Sequence, residues 1–138
     1  MLYLLKNGAL QAQISDYGAK ITQFFVPNQC GEVKDIVLGF SSPEEWRMQE
    51  TYFNAIIGRC ANRIKNGRFI LDGKHYQLPI NNGTNSLHGG VHGFNEQTWT
   101  VLEYDQCHIQ LYYRSADGEE GYPGNLEVWV TYCLTDDN

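Results

Sequence analysis

Near the C-terminal end of the chain, Leu126, Val128, Val130 and Tyr132 alternate with Glu127, Trp129, Thr131 and Cys133. A period of two puts each set on its own side of a pleated strand, and a helix with its period of 3.6 cannot satisfy it. Shorter versions of the same signal recur along the sequence. Residues 2–5 and 10–14 read as strands joined at Asn7-Gly8, with Leu10, Ala12 and Ile14 on one face. Residues 21–26 form a further strand up to Pro27, Asn28 to Gly31 a turn, and residues 35–40 a nearly continuous apolar strand. Residues 68–71 and 74–78 flank Asp72-Gly73, the strongest hairpin signal of the chain, and 98–104 and 107–114 flank Asp105-Gln106. No long amphipathic helix and no internal repeat interrupts this pattern. Only Ser41-Ser42-Pro43-Glu44-Glu45-Trp46 reads as a short helix start, with a Ser cap, Pro in the first turn and acids at the N-terminus. The sequence therefore predicts an all-β, mostly antiparallel sandwich, a single domain over residues 1–138.

Composition narrows the function classes. A chain of 138 residues that is 42% hydrophobic and 19% charged is long and apolar enough for a real core. Its net charge of -6 sets nucleic acid aside as a partner, because phosphate binding needs clustered Lys and Arg. No window reaches the length of a membrane span, and the first residues lack the basic leader of a signal peptide. Cys30, Cys60, Cys107 and Cys133 lie far apart without a CxxC pair, so free thiols in a reducing cytoplasm are expected. Cys133 is expected buried as a small hydrophobe, and Trp99 and Trp129 are expected in the core.

Residues 81–90 break the β pattern: Asn81-Asn82-Gly83-Thr84-Asn85-Ser86-Leu87-His88-Gly89-Gly90. Asn and Gly favour turn and left-handed conformations, so this stretch is a loop, and loops on a rigid scaffold carry function. Gly89 and Gly90 would let a ligand approach the backbone beside His88. By residue type alone His88 reads as a solvated or structural histidine, and Arg63 as a surface arginine paired with a carboxylate. The functional alternative is that the Arg63 fork and the Asn62 amide match the hydroxyls and ring oxygen of a sugar. His88 and His92 are four apart, but the Gly-Gly-Val between them disfavours the helix that metal ligation at this spacing needs. Metal binding is not expected. The loop Glu119-Glu120-Gly121-Tyr122-Pro123-Gly124 reads as a tight acidic turn rather than an acid/base pair.

Taken together, GRCANRI (58–64), NSLHGG (85–90) and DGEEGYPGNLEVWVTY (117–132) closely resemble the aldose 1-epimerase, or galactose mutarotase, family. The resemblance implies part of a large sandwich that interconverts the α and β anomers of an aldohexose such as galactose or glucose. The reaction is acid/base ring opening and needs neither cofactor nor metal. It also implies that Arg63 contacts the sugar with Asn62 beside it, and that His88 lines the pocket. Gly93-Phe94 and Trp99 continue the match, whereas Asn95-Glu96 stands where the family commonly reads Asp-Lys. The family's catalytic histidine and base glutamate belong to later segments, with no counterpart up to Asn138. No catalytic residue is therefore assigned beyond His88 as a candidate acid, and the chain by itself is expected to show weak or absent turnover. The N-terminal portion of a mutarotase is the first reading. A non-catalytic carbohydrate-binding module and a self-associating β scaffold are the alternatives. Asp136-Asp137-Asn138 reads as the start of a connection to a missing C-terminal part, which could pair with this one.

Overall fold

The computed structural model describes residues 1–40, 42–48 and 52–136. Strands β1 (Leu2–Asn7), β2 (Leu10–Ser15), β3 (Lys20–Pro27) and β4 (Val33–Asp35) form an antiparallel four-stranded sheet in that order. The β1–β2 register pairs Asn7 with Leu10, so Gly8-Ala9 is the two-residue loop. The hairpin is the one the sequence predicts, shifted by one position, with Gly8 supplying the positive φ of 57°. Strands β5 (Arg63–Ile64) and β8 (Ser86–Leu87) make a small ladder, and β6 (Arg68–Leu71) and β7 (Lys74–Gln77) the hairpin closed by Asp72-Gly73. Strands β9 (Thr100–Tyr104), β10 (His108–Ser115) and β11 (Leu126–Cys133) complete a three-stranded sheet with β10 in the middle. The fold is mostly antiparallel β, as predicted.

The two larger sheets face each other across one core. Leu5, Ala12 and Ile14 from the first sheet meet Ile109 and Leu111 from β10, with Phe94 and Trp99 between them. Alternation decides which side chains enter. Val128, Val130 and Tyr132 of β11 pack against this cluster, while Trp129 points outward, 54% exposed, against Tyr112. Trp129 is therefore not a core residue, and Cys133 on the same outward face is exposed rather than buried. The period-two register outranks the size and polarity of the individual side chain.

A second departure concerns residues 35–40. Regular pairing with β3 ends at Asp35, with one further bond from Ile36 N to Phe24 O at 3.0 Å, and the Asp35 carboxylate accepts the amide protons of Phe24 and Val37, both at 3.0 Å. The side chain thereby takes bonds that a longer ladder would need, and Ile36 and Leu38 are left exposed. The chain then enters helix α1 (Pro43–Met48). Ser42 caps it through a reciprocal box: Glu45 N donates to Ser42 Oγ at 3.2 Å, and Ser42 N to Glu45 Oε2 at 3.1 Å. Ser41, and Asp137 and Asn138 of the predicted connection, lie outside the described residues.

Candidate functional site

The short β5–β8 ladder brings the predicted residues together. Pairing of Arg63 with Leu87 sets Asn62 opposite His88. His88 N donates to Asn62 O, and Asn62 N to His88 Nδ1, each at 3.0 Å. Both residues adopt left-handed backbone, φ 62° for Asn62 and 52° for His88. Asn tolerates that region; for His it is a strained choice held by its surroundings. Because Nδ1 accepts a backbone proton, the neutral imidazole carries its hydrogen on Nε2 and presents a donor. The His88 ring lies against Tyr52, centroids 4.5 Å apart.

Among the described residues Arg63 is held by amide oxygens and not by a carboxylate. Its Nε donates to Asn82 Oδ1 at 2.9 Å and its Nη1 to Asn62 Oδ1 at 3.3 Å. Nη2 has no hydrogen-bond partner among the described residues, and the side chain is exposed. The fork is oriented, and its full charge remains for whatever enters.

The loop behind these residues is fixed by one side chain. Asn81 Nδ2 donates to Leu87 O at 2.9 Å and Gly90 O at 2.6 Å, while Asn81 Oδ1 accepts from Leu87 N at 2.6 Å. The two glycines after His88 have a different role from the one the sequence suggests. A Cβ on Gly89 would overlap the carbonyl oxygen of Gly58, and one on Gly90 the Glu120 carboxylate. Protein, not ligand, makes the close approach. Glu120 accepts from Val91 N at 2.7 Å and His92 N at 3.2 Å, and Glu119 accepts from the hydroxyls of Tyr113 and Ser115. The acidic turn is thus a clamp on its neighbours. Arg59, the other arginine of the motif, is wholly structural. It donates to Ser115 Oγ at 2.8 Å, Pro123 O at 2.9 Å, Ser115 O at 3.1 Å and Ala116 O at 2.8 Å.

Beside the Asn62–Arg63–His88 group opens a cleft of about 400 Å³. Asn82, the partner of Arg63, and Tyr52, the partner of His88, line it together with Tyr17, Lys20, Trp46 and Arg47. Glu96 also faces it, with Oε2 3.0 Å from His92 Nδ1, a contact that raises the His92 pKa above its ordinary value. Tyr17, Lys20 and Tyr52 escaped the sequence reading, since nothing in the local pattern marks a residue at the start of β3 as a cleft wall. Asn82 was within the loop, and its role as the Arg63 acceptor became visible only with the fold.

The family model described as aldose 1-epimerase matches residues 1–138. The galactose mutarotase of Sus scrofa is 48% identical over 132 residues, 96% of this chain and 38% of that protein. The aldose 1-epimerase of Escherichia coli is 38% identical over 138 residues, all of this chain and 40% of that protein. Among solved structures, an aldose epimerase homologue from C. elegans superposes with a TM-score of 0.94 at 31% identity, covering 99% of this chain and 42% of its own. The chain thus spans about two fifths of the length of the relatives it matches.

Proposed function

The chain belongs to the aldose 1-epimerase family, and from that premise we propose that it supplies the sugar-holding part of a mutarotase. The observation that carries this reading is the interlock of Asn62, Arg63 and His88, whose partners Asn82 and Tyr52 line the cleft. A hexose offers ring and hydroxyl oxygens around an apolar ring face. Arg63 Nη2 and the His88 Nε2–H are donors held in fixed directions, suited to those oxygens, and Trp46 in the cleft wall is an aromatic surface suited to the ring. Holding donors in place before the ligand arrives lowers the entropic cost of binding.

Anomer exchange needs a base at the anomeric hydroxyl and an acid at the ring oxygen. Glu119 is engaged by the hydroxyls of Tyr113 and Ser115, Glu120 by the amides of Val91 and His92, and Glu96 by His92, so none is free to serve as that base. Residues 1–138 are accordingly proposed as one β unit, the N-terminal portion of a larger catalytic sandwich, which binds an aldohexose with weak or no turnover of its own. His88 acts there as a donor that positions the sugar. Four cysteines without a disulfide support a cytoplasmic setting.

Polarimetry on freshly dissolved α-glucose and α-galactose tests the reading, alongside sugar-dependent thermal stabilisation. The expected result is stabilisation that Arg63→Ala abolishes, with no rate above the spontaneous one. Acceleration that disappears in the same variant would show a complete acid/base pair within the chain and overturn the non-catalytic part. Indifference to both sugars would leave a β scaffold.

A further inference from the structure

Lys20 opens β3 with only 2% of its surface exposed. Lysine is almost never buried to this degree without a charged partner, because removing an ammonium from water is costly. Among the described residues no carboxylate lies within ion-pair distance of it, and its residue lines the open cleft. What surrounds it is aromatic: its Nζ lies 4.5 Å from the Tyr17 ring centroid and 5.8 Å from that of Trp46. A second cation shares the same wall, with Arg47 Cζ 5.2 Å from the Tyr17 ring. The aromatic faces offset part of the desolvation but bring no acceptor. Burial pushes the Lys20 pKa down, against an opposing field from Glu96. Glu96 itself is the hydrogen-bond partner of His92.

All of these side chains line the cleft beside Arg63 and His88. An ammonium without a carboxylate partner that faces a cavity and shares one aromatic ring with a guanidinium is suited to an anion. We propose that Lys20 and Arg47 form an anionic subsite within the sugar cleft, and that its preferred ligand is an aldose bearing a carboxylate or a phosphate. This rests on the proposal that the cleft holds a sugar. The neutral ring would sit toward Arg63 and His88, and the acidic substituent would reach the Tyr17 wall.

Titration of the full chain with galactose, galacturonate, galactose 6-phosphate and inorganic phosphate, in low and high salt, tests it. The acidic sugars are expected to bind at least about tenfold more tightly than galactose, as a charge-assisted contact implies. In Lys20→Met, which keeps the aliphatic stem, the ratio of acidic to neutral affinity falls to about one, and high salt shrinks the ratio in the parent chain. The better of carboxylate and phosphate identifies the substituent. Acidic sugars that bind no better than galactose, or an advantage that survives in Lys20→Met, overturn the subsite while the sugar reading stands. Lys20-dependent binding of inorganic phosphate without binding of any sugar keeps the anion site and removes the sugar. Silence in every arm removes both. Should Lys20→Met fail to fold, Lys20→Gln and the salt dependence carry the same decision.

Discussion

Asn81 shows how much a single amide can fix. Its three hydrogen bonds join both ends of the loop that carries His88. Asn81→Ala is expected to cost about 3 kcal/mol, since each of the three bonds contributes about 1 kcal/mol net. Asn81→Asp separates the two halves of the side chain: the acceptor for Leu87 N remains, but an oxygen now faces the carbonyls of Leu87 and Gly90. It is expected to be at least as destabilising as the alanine, read by urea denaturation. At this scale the sequence was partly legible. GRCANRI and NSLHGG pointed to Asn62, Arg63 and His88, and the fold does join them. Their partners were hidden, because residues 52 and 82 reach the site through tertiary packing that no local spacing encodes. Trp129 was misread for the opposite reason: an aromatic was weighed by its size, when the register already placed it with Glu127 and Thr131 on the outer face.

At the scale of the element, α1 is the piece most dependent on its terminus. A helix of six residues is far below the length that is stable alone, so its capping box contributes an outsized share. Ser42→Ala is expected to destabilise it by about 1 kcal/mol and to speed amide exchange at Glu45 and Trp46. Because Trp46 and Arg47 line the cleft, the same change should weaken ligand binding without touching Arg63 or His88. Hairpins were the legible elements. Asp72 and Gly73 take φ of 50° and 75°, the pair of positive angles that an Asp-Gly turn favours. The apolar run over 35–40 was not, since apolarity licenses burial but says nothing about whether a neighbouring strand is there to pair.

The whole molecule adds a dependence on alkali. Tyr132 of β11 reaches across the core and donates to Ala19 O at 2.8 Å, and burial pushes its pKa up to about 12. The unfolded chain ionises its tyrosines near 10, so the neutral phenol stabilises the fold fully below that pH. The contribution is lost as pH rises from 10 through 12. Burial raises Tyr113 and Tyr122 in the same sense. Stability is expected to fall steeply across this window in chemical denaturation. Tyr132→Phe should begin about 1 kcal/mol lower at neutral pH, having lost a hydrogen bond, and decline less steeply.

The Arg59 clamp has a consequence in time as well as in space. It ties residue 59 to backbone carbonyls at 115, 116 and 123, and Glu120 ties the same turn to Val91 and His92. A nascent chain emerges from its N-terminus, and contacts of such sequence separation form slowly. The first sheet can be complete while the ribosome is still adding β10, but the histidine loop lacks its brace until Pro123 has been made. The loop that carries His88 thus acquires its shape later in synthesis than the first sheet.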